Sequence, residues 1–204
     1  MIGIIDYGVG NLFSLRSSFA TLGEDARIVS DAGALTDCSH LILPGVGAFA
    51  DAIQKLQAGG LAEAVQTEVT KGKPLLGICL GMQLLFEKSY EYGEHDGLGL
   101  ICGSVKPIKS VIPAGYKIPH IGWNALHFTE SKPMSPIFKY SKEGDYVYFV
   151  HSYYGAACSQ VTATAEYGVP LTAAVQNENV FGTQFHPEKS GEIGLAILRA
   201  FCEL

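Results

Sequence analysis

Lys73-Pro74-Leu75-Leu76-Gly77-Ile78-Cys79-Leu80-Gly81-Met82-Gln83-Leu84-Leu85-Phe86-Glu87 is the stretch on which the reading of this chain turns. Lys73 to Ile78 is a short apolar run with the pattern of a buried strand, and Leu80–Glu87 follows at once with helical character. Between them, Gly77-Ile78-Cys79-Leu80-Gly81 is the thiol version of the Gly-x-Ser-x-Gly nucleophile elbow. Its glycines suit a tight strand-to-helix turn in which backbones come close and the central residue is strained. Cys79 then opens a helix, whose free N–H groups and dipole favour an anion at that point. The N–H of Leu80 can donate to an oxyanion developing there. The competing reading of Cys79 is a buried structural cysteine between Leu76 and Leu84.

Working outward, the first half repeats the strand-then-helix pattern. Residues 1–6 form an apolar run ending in Asp6, Tyr7-Gly8-Val9-Gly10-Asn11 is a turn, and Leu12, Leu15, Phe19 and Leu22 recur at helical spacing before Gly23. Residues 26–30 predict a second strand, and His40–Leu43 a third that ends at Pro44-Gly45-Val46-Gly47. Helices are expected over 48–58 and 61–71. Alternation at this pitch points to βαβ units and a parallel sheet. In the second half, short strand candidates dominate: Val105–Lys109, Ala125–Thr129, Tyr146–Val150, Val161–Glu166, Ala173–Gln176 and Val180–Phe185. Residues 88–97 form the most polar loop. A last helix starts from Ser190 as N-cap, with Ile193, Ile197, Phe201 and Leu204 as its apolar stripe. The expectation is one α/β domain over 1–204, with a mostly parallel central sheet flanked by helices and additional antiparallel strands in the second half.

Composition narrows the function classes. A length of 204 residues suits one domain, and 48 % hydrophobic against 17 % charged residues excludes disorder. Fourteen Lys+Arg against twenty Asp+Glu give a formal charge of −6, without the clustered basic residues of a nucleic-acid footprint. The most apolar run, Pro74 to Phe86, is too short and too interrupted by glycine to cross a bilayer. The N-terminus lacks the pattern of a signal peptide, so a soluble, cytoplasmic protein is expected. The five cysteines (Cys38, Cys79, Cys102, Cys158 and Cys202) are odd in number and widely spaced, with no Cys-x-x-Cys. This argues against a disulfide framework and a thiolate zinc site. No metal or cofactor is expected.

A second signal is Gln184-Phe185-His186-Pro187-Glu188. The residue before proline is pushed to an extended conformation, in which i and i+2 share a face. His186 and Glu188 can therefore lie side by side, the carboxylate fixing the imidazole's tautomer. With Cys79 they meet the requirement for an activated thiol nucleophile. A third signal is Leu43-Pro44-Gly45-Val46-Gly47. Although Gly45-x-Gly47-x-x-Ala50 matches a loose dinucleotide fingerprint, that fingerprint belongs on the first βα unit, where Phe13 breaks it. A flexible turn offering a backbone N–H to the same oxyanion as Leu80 is the better reading, with a plain turn as the alternative. His40, His95 and His127 form no ligand triad at metal spacing. His120 and His151 stand in the aromatic-rich stretches Pro119–Asn124 and Tyr148–Tyr154, and Trp123 is the sole tryptophan.

Taken together, Gly77-Ile78-Cys79-Leu80-Gly81-Met82-Gln83 and His186-Pro187-Glu188 resemble the class I (triad) glutamine amidotransferases. The resemblance covers nearly the whole chain. Ile5–Asn11, Leu43–Phe49, Ile121–Asn124, Val150–Tyr154 and Phe185–Ser190 are similar to the glutaminase subunits of imidazole glycerol phosphate synthases. It implies the family's fold, and a Cys79-His186-Glu188 triad that releases ammonia from L-glutamine. It implies an oxyanion site from Leu80 and the Val46-Gly47 turn. Gln83, Glu91, Ser152 and Tyr153 would hold the α-amino and α-carboxylate groups of glutamine. The acceptor is then expected on another chain, a (β/α)₈-barrel cyclase of histidine biosynthesis in a heterodimer, met through Trp123, Asn124, Tyr148 and Lys189. A glutaminase serving another acceptor, a thiol hydrolase of another amide and a catalytically silent regulatory subunit are the alternatives.

Overall fold

In a computed structural model, residues 1–129 and 134–204 are described. The first half alternates as expected: β1 (Ile2–Ile5), α1 (Leu12–Thr21), β2 (Ala26–Val29), β3 (His40–Leu43), α2 (Phe49–Ala58), α3 (Leu61–Thr70), β4 (Leu75–Ile78) and α4 (Leu80–Leu84). Then follow β5 (Phe86–Ser89), β6 (His95–Asp96), β7 (Ile101–Pro107), β8 (His120–Phe128), β9 (Tyr146–His151), β10 (Tyr153–Ala156), β11 (Val161–Glu166), β12 (Pro170–Asn177), β13 (Val180–Thr183) and α5 (Gly191–Cys202).

The main sheet has nine strands in the order β2-β1-β3-β4-β13-β12-β11-β8-β9. From β2 to β13 neighbours are parallel, and from β13 to β9 they are antiparallel. The switch falls at β13, which sets Thr183 beside Ile78 on one side and beside Ala174 on the other. The strand leading to the cysteine elbow and the strand leading to His186 are therefore neighbours, and their C-terminal ends deliver both residues to one edge. That edge, outside the carboxyl ends of parallel strands, is where open α/β sheets place their sites.

Buried parallel strands carry apolar side chains on both faces. Leu41 and Leu43 of β3 pack with α2 and α3, while Ile42 packs on the opposite side with Leu15 and Phe19 of α1 and Ile197 and Phe201 of α5. A second sheet, β10-β7-β5-β6, lies on the α2–α3 side, its Phe86, Ile101 and Val105 joining that core.

Several local expectations need correction. The helix expected over Leu80–Glu87 stops at Leu84, and Phe86–Ser89 is a strand. The carbonyls of Leu84 and Leu85, which would continue the helix, instead accept the N–H groups of Leu98, Leu100 and Ile101. Tertiary pairing thus overrides local propensity. The polar 88–97 loop contains the end of β5 and all of β6. The strand expected over Val105–Lys109 begins at Ile101 and ends at Pro107, and that over Val180–Phe185 ends at Thr183. β10 was not expected separately. Ser190 precedes α5, but its side chain makes no cap: its hydroxyl donates to the His186 carbonyl at 2.7 Å and accepts from the Tyr148 N–H at 3.0 Å. Leu204 lies past the helix end and is exposed, so the α5 stripe ends at Phe201.

Candidate active site

The elbow is built from interlocking glycines. Cys79 sits at φ 56° and ψ −111°, in the left-handed half of backbone space that non-glycine residues rarely adopt. Its N–H is fixed by the Thr183 carbonyl at 2.7 Å. A Cβ on Gly77 would come within 2.7 Å of the Gly81 carbonyl oxygen, and a Cβ on Gly81 within 1.8 Å of the Leu43 oxygen. A Cβ on Gly45 would meet the Gly81 nitrogen at 2.8 Å and the Tyr7 hydroxyl at 2.9 Å. Glycine at these positions lets the end of β3, the end of β4 and the start of α4 converge, so the Gly45-Val46-Gly47 turn stands beside the cysteine.

A cleft of about 310 Å³ opens there. Among the sequence-predicted residues, Cys79, His186, Val46, Gly47, Leu80, Gln83, Glu91, Ser152 and Tyr153 all line it, joined by Pro119, Val150 and His151. Glu188 stands behind His186, its Oε1 2.8 Å from the imidazole Nδ1, with both side chains almost wholly buried. The Nε2 of His186 has no hydrogen-bond partner among the described residues. Burial works against the imidazolium, but Cys79 and Glu188 outweigh it and raise the His186 pKa to about 9. The Cys79 thiol donates to the Val150 carbonyl at 3.8 Å, and the Gln184 amide donates to the sulfur at 3.8 Å.

The groups expected to hold substrate are themselves held. Both amide protons of Gln83 are committed, to the Tyr153 carbonyl at 3.1 Å and to Gln184 Oε1 at 3.0 Å, so the Gln83 carbonyl oxygen is what remains for a ligand. Glu91 accepts the N–H of Phe49, the first residue of α2, at 2.6 Å. Burial raises its pKa, partly offset by that N–H and by His95. One carboxylate thus ties the cleft to the helix that follows the glycine turn.

Two features lie outside the sequence reading. The Tyr7 hydroxyl donates to the Pro44 carbonyl at 2.7 Å, anchoring the glycine turn from the turn that follows β1; burial and Cys79 push its pKa up. Its only signal was its place in the turn after the first strand. His151 and His120 form a buried polar chain. His151 Nδ1 donates to the Tyr153 carbonyl at 2.8 Å, and its Nε2 is 2.9 Å from His120 Nδ1. His120 Nε2 in turn is 2.8 Å from Asn124 Oδ1. Burial lowers the pKa of both imidazoles, that of His151 to about 4. Their separation in sequence hides this contact, which exists only because β8 and β9 pair with His120 opposite His151.

The residues expected at a partner surface also gather, on β8, β9 and the loop before α5. Trp123 is 52 % exposed, its ring centroid 6.0 Å from that of Tyr148, and Lys189 Nζ lies 5.9 Å from the Tyr148 centroid. Ile121 and Tyr146 extend the exposed apolar face. Asn124 differs from the others, because its amide is turned inward to His120 and to the Glu166 carbonyl at 2.9 Å.

A strained cysteine at a helix start, an imidazole braced by a carboxylate and a cleft with both acidic and amide groups are the parts that a cysteine-based amidotransferase needs. The family model "Glutamine amidotransferase class-I" matches residues 4–203. The chain is 52 % identical to the imidazole glycerol phosphate synthase subunit HisH of Caldanaerobacter subterraneus subsp. tengcongensis, covering 100 % of this chain and 98 % of that protein. It is 48 % identical to the subunit HisH of Wolinella succinogenes, with 100 % of each covered. Among solved structures, a glutamine amidotransferase superposes with a TM-score of 0.76 at 20 % identity, covering 99 % of this chain and 97 % of that one. PurLQS from Thermotoga maritima superposes at 0.75 and 21 %, with the same coverage. The chain belongs to the class-I glutamine amidotransferases and, among them, to the family of imidazole glycerol phosphate synthase subunits HisH.

Proposed function

We propose that this chain is the glutaminase subunit of an imidazole glycerol phosphate synthase: it hydrolyses L-glutamine to glutamate and passes the ammonia to a (β/α)₈-barrel cyclase subunit in the cytoplasm. The observation that carries the chemistry is Cys79 in the same cleft as His186, which is braced by Glu188 at 2.8 Å.

In this reading, the reacting form holds the proton of the Cys79–His186 pair on His186, as its pKa of about 9 favours, and the Cys79 sulfur attacks the side-chain carbonyl of glutamine. The negative charge that forms on the carbonyl oxygen is met by the Leu80 N–H and a backbone N–H of the Gly45-Val46-Gly47 turn. His186 then hands its proton to the departing ammonia, leaving a thioester on Cys79. A water deprotonated by His186 hydrolyses that thioester to glutamate. Glu188 keeps the imidazole oriented through Nδ1 and stabilises its charged form. The Gln83 carbonyl oxygen and the Glu91 carboxylate suit the α-ammonium group of glutamine, and Ser152 and Tyr153 close the wall beside the carboxylate.

Ammonia must stay unprotonated to act as a nucleophile, so a shielded path into the partner is expected. Trp123, Tyr148 and Lys189 supply the aromatic and cationic anchors for that contact, with Asn124 fixed behind them. Co-expression with the barrel cyclase tests the proposal. The two chains are expected to co-purify and to make imidazole glycerol phosphate and AICAR in a glutamine-dependent manner. A stable complex that uses ammonia but never glutamine would overturn it.

A further inference from the structure

Two of the cysteines lie outside the glutamine cleft and face each other. Cys102 stands near the start of β7, and Cys158 two residues past the end of β10. These strands pair antiparallel, with Tyr153 opposite Pro107 and Ala156 opposite Ser104. Continued by two residues, that register sets Cys158 opposite Cys102. Their sulfurs are 3.9 Å apart, and both are free thiols that are neither fully buried nor fully exposed. The backbone leaves the ladder here. Gly103 and Ala157 adopt positive φ of 98° and 53°, and the Cys102 N–H donates to Gln160 Oε1 at 2.8 Å rather than to the opposite strand.

Their surroundings give the two thiols different characters. The Ser159 hydroxyl, 3.4 Å from the Cys102 sulfur, is the main cause that holds the Cys102 pKa below its ordinary value, with Cys158 helping. Burial pushes the Cys158 thiol up to about 11, although the Gln160 N–H donates to its sulfur at 3.4 Å. Cys102 is thus suited to attack first, and Cys158 to follow. Among the described residues, Cys202 has no thiol partner, and burial raises its pKa to about 12.

We propose that Cys102 and Cys158 form a dithiol site that a low-molecular-weight disulfide, such as oxidised glutathione, converts reversibly to an intramolecular disulfide. The Cys102 thiolate attacks one glutathione sulfur, forms a mixed disulfide and expels one glutathione thiolate. Cys158, its proton lost to solvent, attacks the Cys102 sulfur and expels the second glutathione. Two protein thiols are oxidised, and one glutathione disulfide is reduced to two thiols. The sulfurs close from 3.9 Å to a bond of roughly 2.05 Å. The link spans 56 positions of chain and ties the end of the β7–β10 ladder remote from Tyr153, the cleft residue that begins β10.

The test equilibrates the full-length chain in glutathione buffers of increasing oxidised fraction, then quenches with acid, alkylates and maps peptides by mass spectrometry. A cross-linked Cys102–Cys158 peptide is expected, reversed by dithiothreitol. The oxidised chain should melt about 5–10 °C higher, since a long loop is closed in the unfolded state. Cys158→Ser should instead accumulate glutathione on Cys102, and Cys102→Ser should slow glutathione uptake at Cys158 at least tenfold. Two independently glutathionylated cysteines, or a pair still fully alkylated at the most oxidising ratio, would overturn the proposal. The wild-type peptide map decides this even if a variant fails to fold.

Discussion

Glu188→Gln isolates the electrostatic half of the proposed triad, because glutamine keeps the shape and removes the charge. His186 rises from 6.5 to about 9 in the folded chain, a difference of about 2.5 units. At roughly 1.36 kcal/mol per unit, the folded state favours the imidazolium by about 3 kcal/mol, net of burial. Cys79 and Glu188 share that effect, so removing the carboxylate is expected to take away about 1–2 kcal/mol of it. The folded pKa lies above the unfolded one. The stabilisation is therefore fully present below about pH 6.5 and is lost as pH rises through about 9. Urea unfolding of wild type and Glu188→Gln at pH 6 and at pH 9.5 reads this directly. The gap between them should be wider at pH 6 by that 1–2 kcal/mol and narrow at the alkaline end. In the complex, glutamine-dependent kcat/KM should fall by about 10²–10⁴, with an imidazole that is no longer braced. A gap independent of pH, or a kcat/KM within threefold of wild type, would refute the role given to Glu188.

Other substitutions probe the rest of the structure. Gly81→Ala places a Cβ 1.8 Å from the Leu43 carbonyl oxygen, so a loss of about 3 kcal/mol or more is expected in denaturant melts; a loss below 1 kcal/mol would show that the elbow has room to yield. Tyr7→Phe leaves the Pro44 carbonyl without its donor and should cost about 1–2 kcal/mol of stability while lowering kcat more than it raises KM; unchanged kcat would detach Tyr7 from the glycine turn. Trp123→Ala, at a 52 % exposed position, should change the stability of the free chain by no more than about 0.5 kcal/mol yet weaken cyclase binding at least about tenfold by calorimetry; equal affinity would move the interface elsewhere.

Much of the parallel half was legible because β1, β3 and β4 are short, mostly apolar runs, each followed by a turn or a helix start. The position of Cys79 was legible for the same reason: the glycines at 77 and 81 mark a close backbone approach that few other turns need. The placement of β13 beside β4 was not, since that partner is about a hundred residues away in sequence. The short α4 misled for a related reason. Leu80–Glu87 has helical spacing throughout, but the backbone groups of 98–101 compete for the carbonyls that would extend it. Side-chain roles were less visible still. Ser190 has the chemistry of a helix cap, yet its hydroxyl bridges the His186 carbonyl and the Tyr148 N–H. The pairing of His120 with His151, and of Cys102 with Cys158, becomes visible only with strand register.

Cys79→Ala in the complex reconstituted with its cyclase, assayed with glutamine and separately with ammonium salts, tests the proposed nucleophile most directly. Glutamine-dependent synthesis should fall at least about 10³-fold while ammonia-dependent synthesis stays near the wild-type rate. Retention of glutamine-dependent synthesis by the alanine variant would contradict the assignment of Cys79 as the nucleophile.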